Sequence, residues 1–200
     1  MRRPISTNKA HAQQGFTLLI VLVVLMVIAF LVVAATQTYN TELRISSNDA
    51  DRKMAMSVAE QTLRTGETRI ARILDEPPGT TFTFTGNCTD GLCAPAGAVA
   101  ATSGTIVVEA NNATLPPWEK PWENNGVCGR DSCLVEAGTE VDVPGNGNSS
   151  LAENPRYIVE FLNTNASGSI AYFRVTARAW GRNANTVVTV QSYVEAESDY

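Results

Sequence analysis

A run of 20 almost entirely apolar residues, from Phe16 to Ala35, constrains this chain more than any other feature. Thr17 is its only polar member, and no Asp, Glu, Lys or Arg occurs between Lys9 and Glu42. A helix rises about 1.5 Å per residue, so a run of this length spans about 30 Å, which matches the hydrocarbon core of a bilayer. The run therefore predicts a membrane-spanning helix near the N-terminus.

The residues that flank the run bear on its orientation and processing. Arg2, Arg3 and Lys9 precede it without any acidic residue, and by the positive-inside rule this short tail stays in the cytoplasm while the rest is exported. A simple anchor satisfies these observations. A secretory signal peptide cut after Ala35 is a second interpretation, although its apolar core would exceed the usual length of about 7–15 residues. A third interpretation depends on Gly15, directly before the run.

The junction QQGFTLLIVLVVLMVIAFLVVAATQ resembles the leader junction of type IV prepilins. In that family a prepilin peptidase of the inner membrane cuts after the glycine and methylates the new N-terminal residue, so the apolar helix stays on the mature protein. The resemblance implies that residues 1–15 are a cleaved leader, that Gly15 is its last residue and that Phe16 becomes N-methylated. The chain departs from the family at Ile20, because most pilins have a glutamate at the fifth mature position.

A second helical segment, residues 42–76, follows the run. It is rich in helix formers and contains no proline, and Pro77 directly follows it. Apolar residues recur at three- and four-residue spacing, which is typical of an amphipathic helix with one covered face. Basic and acidic residues alternate along it, and we expect a solvated, salt-bridged face rather than a binding stripe. The apolar stripe comprises Tyr39, Leu43, Ala50, Met54, Val58, Ala59, Leu63, Ile70, Ile73 and Leu74.

These patterns divide the chain into four parts. After the leader, residues 16–41 are interpreted as the transmembrane and polymerisation half of a helix, and residues 42–76 as its amphipathic half. One continuous helix over both halves would be roughly 90 Å long, but an anchor followed by a separate helix fits the same residues. Residues 77–200 are predicted to form a globular periplasmic head.

Two C-x₄-C pairs lie in the loop-rich middle of the chain, Cys88 with Cys93 and Cys128 with Cys133. They could form two disulfides or a four-cysteine zinc site. Export would place them in an oxidising compartment, where thiols pair, and this favours disulfides. Four cysteines allow three pairings, and pairing within each C-x₄-C unit is preferred because each unit brackets a turn. No metal is assigned.

Two short strands are predicted in the same region, at residues 80–86 and 104–110. Asp90–Gly91 is a favoured pair in two-residue turns and predicts a hairpin between the first two cysteines. Trp118 and Trp122 follow in a proline-broken loop, and we expect them to cover their own domain rather than a partner.

A three-stranded antiparallel sheet is predicted at the C-terminal end, from residues 156–162, 170–181 and 186–194. Such a sheet cannot leave its apolar face bare, and the stripe of the 42–74 helix is the available cover. The sequence therefore predicts an α+β fold, with a long N-terminal helix packed on a small antiparallel sheet. The residues expected to face the helix are Ala171, Phe173, Val175, Ala177 and Ala179, and those expected to face solvent are Tyr172, Arg174, Thr176, Arg178 and Trp180.

The hairpin YFRVTARAWGRNANTVVTVQSYV and the stretch SNDADRKMAMSVAEQTLRTGE resemble PilX/PilK-type minor pilins, nearest to the neisserial PilK kind of subunit. The resemblance implies a minor pilin that takes part in pilus assembly together with other minor and major pilins. Ile20, where most pilins have a glutamate, favours a low-abundance subunit in a tip or priming complex. It also implies a single-pass inner-membrane precursor with a periplasmic head, which later joins the pilus. A type II secretion pseudopilin, and a membrane-tethered periplasmic binding domain that never polymerises, are the alternatives.

Composition argues against several other classes of protein. The chain has 15 Lys+Arg against 20 Asp+Glu, a formal net charge of −5, and without a long basic run direct nucleic-acid binding is not expected. The single histidine, His11, falls in the leader, so neither an enzyme centre nor a His-based metal site is expected. We therefore expect no cofactor and no small-molecule substrate.

Overall fold

The structure of the chain is a computed structural model. It describes residues 14–77, 79–119, 138–142 and 151–197. The predictions made for Trp122, for the Cys128–Cys133 pair and for residues 1–13 lie outside the described residues.

The chain divides into two compact units, Met1–Asn48 and Asp49–Tyr200. The described part of the first unit is entirely helical and belongs to α1, which begins at Gln14 and ends at Asp75. This helix has the length and apolar composition needed to cross a membrane. The apolar side chains of its N-terminal run are exposed in the isolated chain, with Phe16 at 69% and Phe30 at 72%. Of the two arrangements that fitted the sequence, the structure has the single continuous helix, which runs unbroken through residues 46–48.

The second unit contains two sheets. Its strands are β1 (Phe82–Phe84), β2 (Leu92–Cys93), β3 (Ala101–Ser103), β4 (Ile106–Val108), β5 (Thr139–Glu140), β6 (Arg156–Thr164), β7 (Ile170–Trp180) and β8 (Val187–Glu197). The smaller sheet has the strand order β1-β4-β3. The larger has the order β2-β6-β7-β8, with β5 also paired to β6, so the predicted three-stranded sheet has five strands. Two pairs are parallel, β1 with β4 and β2 with β6, and the others are antiparallel.

The main core lies between the last part of α1 and the two sheets. Apolar side chains from the helix and from both sheets meet there, and the aromatic rings of Phe84, Phe161 and Phe173 contact one another. The covered face of the helix begins later than predicted, because Tyr39 and Leu43 are 62% and 50% exposed. The strands that cover the helix belong to the second unit, which begins only at Asp49. The buried helix residues are Ala55, Val58, Ala59, Thr62, Gly66, Ile70 and Ile73.

Strand β7 shows which part of the alternation prediction holds. The five residues expected to face the helix are all buried, with exposures of 0–2%. The opposite set was expected to face solvent, yet Thr176 and Trp180 are 0% and 1% exposed, so for these two residues the prediction was wrong. The outer face is covered too: Cys88, Cys93 and Trp118 pack on Ile158, the β6 partner of Thr176.

The turn at Asp90–Gly91 exists, but the predicted hairpin does not. The residues form a 3₁₀ turn, Thr89–Gly91, with Asp90 at a φ of 54°. Thr85 holds this turn, since its carbonyl accepts from the Cys88 N–H at 3.1 Å and its hydroxyl accepts from the Thr89 N–H at 3.0 Å. The chain then enters β2, which pairs in parallel with β6 and forms a parallel bridge with Thr85 at the end of β1, so it makes no antiparallel hairpin with β1.

Candidate assembly surfaces

A disulfide closes the loop on the outer face of the larger sheet. Cys88 and Cys93 are joined with an S–S distance of 2.08 Å, which confirms the pairing predicted for this C-x₄-C unit. Both cysteines are fully buried, and they pack with Ile158 and the half-buried Trp118. Trp118 therefore covers its own domain, as predicted. Because the described cysteines are bonded to each other, neither is available as a thiolate ligand.

Four side chains form a row across the outer face of the sheet. The strand register aligns Cys93 of β2 with Glu160 of β6, Glu160 with Arg174 of β7, and Arg174 with Tyr193 of β8. Directly paired residues in adjacent strands project to the same side. We call Cys93, Glu160, Arg174 and Tyr193 the outer row.

A buried ion pair occupies the centre of the outer row. Arg174 Nε and Nη2 donate to the two carboxylate oxygens of Glu160 at 2.8 and 2.7 Å. The Glu160 side chain is 0% exposed and that of Arg174 is 14% exposed, although Arg174 was expected to face solvent. The Trp118 ring lies over the guanidinium, with Cζ 5.6 Å from the ring centroid. The hydrogen bond that Arg174 donates to Glu160 is the main cause that raises the pKa of Arg174, so the guanidinium stays charged.

This ion pair was not found by sequence reasoning, although a signal was present. Glu160 is the one acidic residue inside the apolar segment that became β6, and Arg174 lies in the next strand. A doubly hydrogen-bonded, buried pair of this kind fixes two strands and a covering loop in one geometry. Its chemistry is structural, because both groups are fully paired.

A second feature that sequence reasoning missed links α1 to the turn between β7 and β8. Asp51 Oδ1 accepts from the Arg182 N–H at 2.6 Å, and Oδ2 accepts from the Asn183 N–H at 3.3 Å. A hydrogen bond from the Thr186 side chain, followed by the bond from the Arg182 N–H, lowers the pKa of Asp51. Gly181 makes room for this clamp, since a Cβ there would lie 2.6 Å from both carboxylate oxygens.

The charged face of α1 differs from the prediction. Within the part of the helix that the structure describes, the only salt bridge joins Lys53 Nζ to Asp49 at 2.7 Å. Arg64, Arg69 and Arg72 form none with described residues, so a salt-bridged face was the wrong expectation for this part of the helix. The three arginines instead line a groove.

The residues predicted at the leader junction lie at the start of α1. Gly15 is in the first turn of the helix, and Phe16 begins the exposed apolar run. Ile20 is 45% exposed, and Ala35 is exposed near the end of the run. Cleavage after Gly15 and methylation of Phe16 stay predictions.

The described residues contain no group of three or more His, Cys, Asp or Glu side chains that could hold a metal ion. The described residues offer two surfaces on which another protein could pack, the exposed apolar run of α1 and a groove lined with arginines.

A long N-terminal apolar helix whose last part packs on mixed β-sheets is a pilin-like architecture. Comparison with protein families agrees with this class. The family described as "Type IV pilus assembly protein PilX C-term" matches residues 89–196, and the family "PilX N-terminal" matches residues 14–64. The chain belongs to the PilX family of type IV pilus assembly proteins. Neither the curated proteins nor the solved structures include a match.

Family membership sets the general role. The chain is a minor pilin, a structural component of a type IV pilus rather than a member of a known enzyme family. With its apolar helix it is a membrane-anchored pilus component that associates with other pilus components.

Proposed function

We propose that this minor pilin is a low-copy subunit that helps to start the pilus, in a tip complex with other minor pilins, and so supports surface piliation. The observation that carries the proposal is Ile20. It occupies the fifth position after the proposed cleavage site, where most pilins have a glutamate, and no acidic residue occurs anywhere in the apolar run.

The physical argument concerns the attraction between an incoming subunit and the growing fibre. A carboxylate at the centre of a membrane helix costs about 2.5–3.5 kcal/mol on insertion scales, so a partner that neutralises it draws the subunit into register. In pilins that partner is thought to be the N-terminal ammonium group of a neighbour. With Ile20 this attraction is absent, and repeated incorporation along the shaft is disfavoured. A first subunit docks onto no earlier one and does not need the charge.

Maturation precedes this role. We propose that the prepilin peptidase cuts after Gly15 and methylates Phe16, which removes Arg2, Arg3 and Lys9. The mature chain would then have 12 Lys+Arg against 20 Asp+Glu. It would remain in the inner membrane with its head in the periplasm. That compartment is oxidising, so the disulfide Cys88–Cys93 would form and persist there. The residues of the C-terminal hairpin favour the neisserial PilK kind of subunit as the nearest type within the family.

Mass spectrometry of the mature protein tests the maturation step. The expected N-terminal residue is N-methyl-Phe16. Thr36 at the N-terminus would support a secretory signal peptide instead, and an intact leader would support a plain membrane anchor.

A deletion strain tests the assembly role. Loss of the protein should reduce surface pili, because fewer fibres are started. A block of pilus retraction should restore part of them, because the few fibres that do start are then no longer removed. Immunogold label on the head should be found at pilus ends and at low copy number. Dense label along the shaft would contradict the tip location, and unchanged piliation after deletion would contradict the assembly role.

Two glutamate substitutions, one at position 20 and one beside it, test the argument from Ile20. Ile20→Glu should increase the amount of this subunit found along sheared shafts, because it restores the attraction. Leu19→Glu is the matched control, since it adds the same charge one position away and should not increase incorporation. If Ile20→Glu changes nothing, while the reverse change in the major pilin abolishes its incorporation, the argument is wrong.

A further inference from the structure

A groove of about 810 Å³ runs along one side of α1 in the second unit. Arg64, Arg69 and Arg72 line its middle, and Glu60 and Glu76 line its two ends. Phe82 and Tyr157 form part of the wall opposite the helix. We call this the arginine groove.

The three arginines give the groove a charge opposite to that of the chain as a whole. The full chain carries a formal charge of −5, yet the middle of the groove carries three of its 15 basic residues. None of the three forms a salt bridge with a described residue, and Arg69 Nε is buried with no hydrogen-bond partner among the described residues. A buried guanidinium donor without an acceptor is costly, which favours an acceptor supplied from outside.

The order of charges selects the kind of partner. A uniformly anionic surface, such as a phospholipid bilayer, would be attracted by the three arginines but repelled by Glu60 at one end of the groove. A protein segment can place carboxylates opposite the arginines and leave a neutral or basic residue opposite Glu60. Complementary charge patterns of this kind set the register of protein–protein contacts.

We propose that the arginine groove binds a carboxylate-rich segment on the head of a neighbouring pilus subunit. Arg64 and Arg72 lie eight residues apart in sequence, about 12 Å along a helix, so a segment of a few residues can reach both. Arg69 lies deeper, since it is half-buried, and would bind the central carboxylate. The inference rests on the proposed incorporation into a pilus, and it specifies one of the contacts by which that occurs.

Site-specific photocrosslinking in intact cells tests the contact. The full chain carries p-benzoylphenylalanine at Thr68, an exposed residue of the groove, and a second version carries it at Met56, which is 41% exposed and lies outside the groove. The crosslinked peptide is identified by mass spectrometry. The expected product from Thr68 is an acidic peptide of another pilus subunit, and the same peptide should not be captured from Met56.

Charge reversal then tests the chemistry. Arg64→Glu with Arg72→Glu should lower the Thr68 crosslink yield about tenfold or more, because two attractive pairs become repulsive. Arg52→Glu is the matched control: Arg52 is exposed on the same helix but does not line the groove, so the yield should stay unchanged. Lysine substitutions at the captured acidic residues should restore the yield in the doubly reversed variant. Transfer of permeabilised cells from about 0.1 M to about 1 M salt shortens the Debye length from about 10 Å to about 3 Å and should also lower the yield.

Three outcomes would overturn the proposal: equal yields from the doubly reversed variant and from Arg52→Glu, crosslinks to phospholipid alone, or crosslinks within the same chain. Piliation, measured in the same strains, separates this proposal from the proposed function. If deletion of the protein reduces pili while the doubly reversed variant supports them fully, the priming role stands and the groove contact is wrong. If deletion has no effect on pili, the priming role fails, and the identity of the crosslinked peptide still decides the groove contact.

Discussion

Val175 of β7 packs directly on Gly66 of α1: a Cβ atom at position 66 would lie 2.5 Å from Val175 Cγ1. The same atom would lie 3.0 Å from Tyr157 Cδ2. The sheet therefore approaches the helix backbone more closely than any residue with a side chain at position 66 would allow. This contact explains a glycine in the interior of a helix, where the residue is otherwise unfavourable by about 1 kcal/mol relative to alanine.

Gly66→Ala is expected to destabilise the head despite the gain in helix propensity. The added methyl group overpacks the interface, at a typical cost of about 1–3 kcal/mol, which outweighs the propensity gain of about 1 kcal/mol. Gly66→Leu should be much more harmful. Chemical denaturation of the full chain in detergent measures both effects.

The partner of the contact provides the control for this prediction. In a Val175→Ala background the 2.5 Å clash is gone and only the 3.0 Å approach to Tyr157 Cδ2 remains, so Gly66→Ala should cost much less than in the parent protein. Additive effects of the two substitutions would show that they do not interact, and the close approach would then be wrong.

Phe173→Ala is expected to lower the free energy of unfolding by about 3–5 kcal/mol. Phe173 is 0% exposed, and its ring centroid lies 5.5 Å from that of Phe161 and 6.2 Å from that of Phe84. Val99→Ala, at a residue that is 82% exposed, should change stability by less than about 0.5 kcal/mol. A loss below about 1 kcal/mol for Phe173→Ala would mean that the cavity collapses or that this face of the sheet is open.

Asp51 is expected to make the stability of the head pH-dependent at acidic pH. Its pKa in the folded protein lies below the ordinary value of 3.8, chiefly through the hydrogen bond from Thr186. The stabilisation by the carboxylate is therefore fully present above that value, and it is lost as the pH falls through the lower folded pKa. Asp51→Ala should lower the melting temperature at neutral pH and flatten its decline below pH 3.8.

Asp49→Ala is the matched control for the Asp51 clamp. Asp49 lies on the same stretch of helix, but among the described residues its salt bridge is to the exposed Lys53. An exposed pair of this kind adds little, so this variant should keep the stability and the acid profile of the parent protein. If the two variants behave alike, the clamp on the β7–β8 turn does not stabilise the head.

Peptide mapping without reduction should recover Cys88 linked to Cys93, and it tests the prediction that Cys128 pairs with Cys133. Replacement of Cys88 and Cys93 by serine should cost about 2 kcal/mol in the chain-entropy description of a short loop. It should also increase the solvent exposure of Trp118, which packs on the disulfide, and tryptophan fluorescence measures this change. Cross-pairing between the two units would contradict the predicted connectivity, and stoichiometric zinc would contradict the disulfides.

The elements that the sequence predicted best are those whose pattern is local. The apolar run of α1 and the alternation of Ala171, Phe173 and Val175 each specify a periodicity and a buried face, and both are found in the structure. The burial of Thr176 could not be predicted in this way. Its hydroxyl accepts a hydrogen bond from Gln191 of β8, and its β6 partner Ile158 lies under a loop whose cysteines are more than 60 residues earlier than Ile158 in the chain. Alternation within one strand does not show what covers its polar side.

The candidate surfaces depend even more on tertiary structure. Asp51 and Arg182 are separated by 131 residues in the chain, and no spacing rule connects them. The alternating charges around Arg64 and Arg72 suggested salt bridges within the helix, because acidic residues occur at suitable i, i+4 positions. The structure instead places both arginines on a groove that exists only once Phe82 and Tyr157 have packed beside the helix.

Removal of one partner from the buried pair Glu160–Arg174 is expected to be the most harmful single change on the outer face. The Arg174 side chain is only 14% exposed, and Glu160→Leu leaves its guanidinium without a carboxylate partner. Loss of one partner of a buried pair costs about 3–5 kcal/mol. The exposed pair Arg156–Glu140 in the same sheet provides the control. Its side chains are 22% and 47% exposed, so Glu140→Leu should cost less than about 1 kcal/mol.

The double variant Glu160→Leu with Arg174→Leu separates the two contributions to this cost. If the single variant suffers because a charge is left buried, removal of both charges should recover most of the lost stability, since apolar replacements of buried pairs are often neutral or stabilising by about 1–4 kcal/mol. If the double variant is as unstable as Glu160→Leu, the loss comes from packing under Trp118 and not from the unpaired charge. Urea denaturation of the three variants distinguishes the two results, and similar losses for Glu160→Leu and Glu140→Leu would show that the outer-row pair contributes no more than a surface pair.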